Sequence, residues 1–282
     1  MKNFLTIDVE EWFHAELPKR QLTNNTILSS NIENEIDLFI DICEKNDIKS
    51  TCFIVGKLAL EKPILVQKLF NAGHEIASHS YLHRLCYELT PKEFKSDTIK
   101  SIDILENITG NKVEGYRAPS WSVNKAISPW FYSILEECGL SYSSSVFPGK
   151  TFLYGYPEFG SKIRKAENTS LYEIPQQLLK LGPSIGVSGG FYLRFFPKLF
   201  VSLFLTKYKS NTPKFIYVHP WELIKSTKGL KLNMIDNFIT NYGIKNNAKK
   251  LSYLAFRSDF QRMDNYIKNL NQSNIKEMEN NY

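Results

Sequence analysis

Residues Asn3 to Glu11 read N-F-L-T-I-D-V-E-E. Phe4, Leu5 and Ile7 are strand formers suited to burial, and the run then turns to acid at Asp8, Glu10 and Glu11. A buried strand that ends in carboxylates sets them at the rim of a sheet, where parallel α/β folds build their active sites. Asp8 and Glu10 are two apart, so along an extended strand both side chains leave the same face. Converging carboxylates repel unless a cation or a proton lies between them. The stretch therefore predicts a cation site at the end of the first strand, with the other ligands supplied from elsewhere. The plain alternative is a strand that runs out into a solvated acidic loop.

Outward from this strand, helices and strands alternate. Asn31 reads as the N-cap of a helix with apolar residues at Ile32, Ile36, Phe39, Ile40 and Cys43. Strands follow at Ser50 to Val55, His74 to Ser78, Val113 to Tyr116, Ser141 to Ser145, Leu171 to Pro175 and Phe215 to Val218. Between them, helices are expected over Leu58 to Asn71, from Thr90-Pro91-Lys92-Glu93 to Thr109, from Ser128-Pro129 to Cys138, and over Leu193 to Tyr208. Val146 to Ser170 is irregular, and Gly182 to Gly190 is a glycine-rich loop. Helices over Leu230 to Tyr242 and Ala248 to Leu270 precede a frayed tail, Gln272 to Tyr282. This alternation predicts an α/β fold, a parallel barrel or sheet, in one domain spanning 1–282. Residues 1–225 hold its motifs, 226–271 a helical extension and 272–282 the tail.

Hydrophobic residues make up 43% of the 282 positions, enough for one large core or two small ones. The net charge of +6 comes without a block of like charges, which argues against a nucleic-acid arm but leaves room for anionic, phosphate-linked substrates. Cys43, Cys52, Cys86 and Cys138 show neither a disulfide framework nor a C-x-x-C site and read as buried free thiols. No signal peptide is legible at the N-terminus, and no apolar run approaches the roughly 20 residues of a membrane span. The expected location is the cytoplasm, at the inner face of the membrane if the apolar 193–208 segment touches lipid. A helix covering the barrel is the plainer reading of that segment.

Four strand ends carry polar groups: Asp8 and Glu10, His79 and His83, Arg117, and His219. His79 and His83 are four apart, which on a helical turn puts both imidazoles in reach of one ion. One carboxylate added to them gives a set that leaves positions open for water and substrate. Such a centre needs a base for the water's proton and an acid for the leaving group. Asp8 is the available base, beside the expected ligand Glu10, and His219 the available acid. Arg117 could hold Asp8 charged through a bidentate pair. His74 reads as structural, and His14 is given no role. Taken singly, each of these residues has an ordinary explanation; together they do not.

T-I-D-V-E at 6–10, H-S-Y-L-H at 79–83, R-A-P-S-W at 117–121 and Y-V-H-P-W-E at 217–222 resemble the polysaccharide deacetylase family, the NodB-homology group or carbohydrate esterase family 4. S-T-C-F-I-V-G and A-G-H-E-I-A-S-H are similar to its second and third strands, so the likeness spans roughly residues 1–225. The resemblance implies a distorted (β/α) barrel of roughly seven parallel strands and hydrolysis of an N-acetyl group on an amino sugar. It also implies a divalent metal, Zn2+ first, with Co2+, Ni2+ or Mn2+ as alternatives. By position it makes Asp8 the catalytic base, Arg117 its orienting partner, His219 the general acid, and His79 and His83 metal ligands. Ser120 takes the place of a residue whose backbone N–H meets the oxyanion, and Trp121, Tyr217 and Trp221 join it as substrate contacts.

Two departures from the pattern matter. Val9 follows Asp8 where a second aspartate is common, which leaves Glu10 as the ligand by the strand argument, with Glu11 the alternative if the strand kinks. Ser120-Trp121 replaces the usual tyrosine after R-x-P and alters the sugar-binding wall. The D-V-E-E-W-F-H opening and the H-P-W-E ending are most similar to deacetylases of exopolysaccharide or O-antigen synthesis. The expected partner is then an N-acetylated sugar on a nucleotide or lipid carrier. An amidohydrolase of cyclic ureides or imides and a non-catalytic carbohydrate-binding barrel are the competing expectations.

Overall fold

The structure, a computed structural model, describes residues 2–23, 28–151, 154–180, 184–208, 210, 212–225 and 232–279. In chain order the strands are β1 (Asn3–Val9), β2 (Thr51–Ile54), β3 (Glu75–Ser78), β4 (Gly115–Tyr116), β5 (Tyr142–Ser143), β6 (Arg164–Lys165), β7 (Tyr172–Glu173), β8 (Leu179–Lys180), β9 (Ser184–Ile185), β10 (Phe215–Val218) and β11 (Phe260–Gln261). The helices are α1 (Glu16–Lys19), α2 (Ile32–Lys45), α3 (Gly56–Glu61), α4 (Pro63–Asn71), α5 (Pro91–Thr109), α6 (Ser128–Glu137), α7 (Gly190–Phe195), α8 (Lys198–Thr206), α9 (Met234–Asn241), α10 (Ile244–Arg257) and α11 (Met263–Glu279).

The main sheet runs β10-β1-β2-β3-β4-β5-β7-β6. Every pairing from β10 to β7 is parallel, and β6 adds to β7 antiparallel. This is the expected α/β architecture, a curled sheet wrapped by helices. Strand alternation sorts its two faces. Leu5, Ile7 and Val9 of β1, with Ile54, Ile216 and Val218, pack outward against the helices. Phe4, Phe53, Phe215 and Tyr217 pack inside the curl, and Asp8 falls in phase with Phe4.

The helices start and stop where the side chains allow. At α5, Thr90 accepts from the Glu93 amide and Glu93 reaches back to the Thr90 amide, a capping box, while Gly110 ends the helix in the left-handed conformation. Other boundaries differ from the sequence reading. The strand stops at Val9, short of Glu11. The helix expected over Leu58 to Asn71 is two, because Pro63 has no N–H to continue the first. Pro197 divides the Leu193 to Tyr208 segment in the same way. Ile127, not Ser128, caps α6.

Ala248 to Leu270 is not one helix. It holds the end of α10, then β11, then α11, which continues through the expected frayed tail as far as Glu279. β11 pairs with β1 on the edge opposite β10, so that Phe4 meets both Phe215 and Gln261. Two residues are too few for a period to show in sequence. Gly182 of the glycine-rich loop, Leu230 at the start of an expected helix, and positions 280–282 of the tail lie outside the described residues.

Candidate active site

The inner face of β1 delivers Asp8, and the chain beyond its end delivers Glu10, both nearly fully buried. His79 follows β3, and His83 sits beyond a non-helical bend in which Ser80 and His83 have positive φ, 63° and 52°. The expectation of a helical turn here is thus corrected. The bend is held by the His83 amide donating to Ser80 Oγ at 2.9 Å, and it turns both rings toward Glu10. Ligand atoms of Glu10, His79 and His83 lie within 4.8 Å of one another, the one such trio of His, Cys, Asp or Glu among the described residues. Glu11 points elsewhere, accepting a hydrogen bond from Ser30 Oγ.

The donor set fits a divalent cation. Nε2 of His83 stands 2.6 Å from Oε2 of Glu10, yet Oε2 has no hydrogen-bond partner, nor has Nδ1 of His83. A buried acceptor left unpaired against a ring nitrogen is costly without a shared positive charge. His79 donates from Nδ1 to the Arg117 carbonyl at 2.8 Å, which fixes the tautomer and leaves Nε2 free as a ligand. Burial pushes the His79 imidazole down to about 4, despite Asp8, so it is neutral as a ligand must be. Burial alone would raise the Glu10 carboxyl, but His83, then His219 and His79, hold it well below the usual carboxylate range.

Arg117 is fully buried and donates from Nη1 to Asp8 Oδ1 at 2.6 Å and to Thr6 Oγ1 at 2.9 Å. Its remaining donors go to Ser144, Nε to the carbonyl at 3.2 Å and Nη2 to Oγ at 3.1 Å. The pairing with Asp8 is therefore a single bond, not the expected bidentate fork, because Ser144 takes the other side of the guanidinium. One oxygen of Asp8 remains for another partner. The rings of Phe53 and Trp121 flank the guanidinium at 4.0 and 4.8 Å.

His219 faces the trio from β10, Nε2 lying 3.6 Å from Glu10 Oε1. Its Nδ1 meets Glu222 Oε2 at 2.9 Å, and the same oxygen accepts the His219 amide at 3.0 Å. Burial would lower the imidazole, but Glu222, with Glu10 and Asp8, pushes it up to about 9, so it is protonated at neutral pH. Glu222 in turn accepts from Arg194 Nε at 2.8 Å, and Arg194 donates to the carbonyls of Ile239, Thr240 and Tyr242 at the end of α9. The sequence reading passed over Arg194 and Glu222. The H-P-W-E spacing was the available signal for Glu222; nothing local marks Arg194. The ring of His14, to which the sequence reading gives no role, stacks on His83 at 5.8 Å.

These groups open into a cavity of about 410 Å³. Ser120, Trp121, Tyr217 and Trp221 line it, as do Lys150 and Tyr154 from the irregular segment and Phe191 from α7. Ser120 and Trp121 both have positive φ, 49° and 52°, a strained turn that tucks the indole under Arg117. Gly189 lets the loop pass over Tyr217, where an added Cβ would meet the ring at 1.9 Å.

Residues 31–142 match the family model "Polysaccharide deacetylase", and residues 144–268 match "Domain of unknown function (DUF3473)". The first match holds His79, His83 and Arg117; Asp8 and Glu10 precede it, and His219 falls in the second. The chain is 30% identical over 132 residues to the peptidoglycan deacetylase-like protein FGM2 of Gibberella zeae, covering 45% of this chain and 38% of that protein. It is 29% identical over 80 residues to a peptidoglycan-N-acetylglucosamine deacetylase of Bacillus cereus, covering 28% of this chain and 29% of that one. The matched part thus spans only about a third of these relatives' length. A solved structure described as a putative polysaccharide deacetylase from Mycobacterium smegmatis superposes with a TM-score of 0.61 at 17% identity, covering 97% of this chain and 92% of that one. Residues 31–142 are thus similar to the polysaccharide deacetylase model, and the chain shares the curled, mostly parallel sheet fold of that solved structure.

Proposed function

We propose that this chain is a metal-dependent hydrolase that removes the N-acetyl group from an amino sugar during synthesis of a surface or exopolysaccharide. The observation that carries the reading is the buried Glu10, His79 and His83 trio with Asp8 on one side and protonated His219 on the other. Glu10, His79 and His83 would hold the cation, Zn2+ by preference. When bound, the ion supplies Lewis acidity toward water and the amide carbonyl.

The chain's own groups do the rest. Asp8 takes the proton of the attacking water on the oxygen that Arg117 leaves free. The Ser120 amide faces the developing oxyanion. His219 gives its Nε2 proton to the departing nitrogen, steadied by Glu222 on Nδ1. The new C–O bond forms first, giving the tetrahedral oxyanion, and its collapse breaks the C–N bond to yield acetate and a free amine. Trp121, Tyr217 and Trp221 offer ring faces to the sugar. We place the enzyme in the cytoplasm, as one catalytic unit over 1–282, with a nucleotide- or lipid-linked sugar as substrate and segment 193–208 in contact with the membrane.

His79→Ala is expected to lose stoichiometric metal and all acetate release, while Asp8→Asn keeps the metal and loses turnover. Full activity in a metal-free His79→Ala protein would overturn the proposal. Acetate release from N-acetylhexosamine derivatives is the direct assay.

A further inference from the structure

A second cavity, about 320 Å³, adjoins the first. The two share Lys150, Thr151, Phe191 and Tyr192 as walls. Beyond that shared wall the second cavity is lined by Phe147, Ile185, Gly186, Phe195 and Phe196, all without charge. A catalytic chamber with polar groups thus continues into an apolar one, and the cation Lys150 stands at the junction. Lys150 has no ion-pair partner among the described residues.

The surroundings point to the same ligand. No Asp or Glu lines the second cavity, so its walls offer an anion nothing to repel it; the carboxylates Asp8, Glu10, Glu16 and Glu222 all line the first. Phe191 contacts Phe195 at 5.5 Å and Phe238 at 5.6 Å, extending the apolar lining outward onto α9. There Met234 and Ile235 are 89% and 72% exposed, as is much of Phe195, Leu199 and Leu203. An exposed face of this kind marks a lipid or partner contact. Through Phe191 and Phe195 this face is continuous with the apolar cavity that Lys150 adjoins, an arrangement that suits an amphiphile with an anionic head.

We infer that the substrate's sugar is carried on a lipid phosphate: the sugar enters the first cavity, the phosphate meets Lys150, and the hydrocarbon chain lies along Phe147, Ile185, Phe195 and Phe196. The exposed residues of α8 and α9 rest on the bilayer that supplies it. This rests on the deacetylase reading for its purpose, but lipid binding is measurable without turnover.

Farnesyl phosphate serves as the probe, with farnesol and a uridine diphosphate N-acetyl sugar as the other arms, followed by calorimetry on the intact protein. Saturable binding of farnesyl phosphate is expected, roughly tenfold tighter than farnesol. Lys150→Gln should abolish that preference, and Ile185→Glu should weaken both lipids at least tenfold. Melting temperatures show whether either variant is folded, and a photoreactive prenyl phosphate on the unaltered protein should label residues 185–196 if a variant is not. Absent lipid binding, labelling elsewhere, or binding of the nucleotide sugar alone overturns the inference and leaves the deacetylase reading standing. Lipid binding with no acetate release from any N-acetyl sugar would sink that reading alone. A dimer in light scattering that disperses with Met234→Glu would assign the exposed face to a second copy and overturn its membrane role.

Discussion

His219 owes its charge to a neighbour three residues away. Glu222 is the largest influence raising its imidazole against burial, and Arg194 keeps Glu222 ionised. Removing the carboxylate therefore lowers the folded-state value. In Glu222→Gln the acid loses its proton at lower pH, so the alkaline limb of kcat/KM should move downward, with metal content unchanged. A limb that stays in place would mean that His219 is not the group titrating. The inward side chain of Asp8 was legible because a period of two is a property of any strand, whereas Glu10 lies one residue past the end of β1. Arg194 was not, because its partners at Glu222, Ile239, Thr240 and Tyr242 lie on elements that only the fold brings together.

β10 and the loop above it illustrate what an element demands of a single position. Gly189 has an extended φ of −162°, which any residue accepts, so its requirement is purely one of space. An added Cβ would strike the Tyr217 ring. Gly189→Ala is expected to cost about 1–3 kcal/mol of stability, as overpacking does, and to displace Tyr217 from the cavity wall, raising KM. Thermal melting and steady-state kinetics with the same sugar separate the two effects. Elements marked by a strong period or a cap, such as α2, α5 and β10, were readable in advance. Those broken by one proline, as at Pro63 and Pro197, or only two residues long, as β11, were not, since a break or a short pairing leaves the surrounding periodicity intact.

Across the whole molecule, the sheet's curl encloses ionisable groups at both ends. Opposite the candidate site, Glu75 accepts from Thr51 Oγ1 and Tyr142 Oη at 2.6 Å each and from the Asp264 amide at 3.1 Å. Burial, reinforced by Asp264, pushes its carboxyl up to about 8 from 4.5. The folded state then binds this proton more tightly than the unfolded one. Stability from this group is present below pH 4.5 and declines as pH rises toward 8, by at most about 1.4 kcal/mol per pH unit. Urea midpoints should fall between pH 5 and 8, and Glu75→Gln should flatten the profile.

β1 also has a temporal consequence. It leaves the ribosome long before Phe215 and Phe260, which complete its two edges at one end. Until those residues emerge, a fully apolar face and two converging carboxylates wait without their partners. Such long-range pairing makes folding slow and leaves a sticky strand exposed meanwhile. Yield of native protein during synthesis should therefore depend on chaperone supply more than its finished stability would suggest.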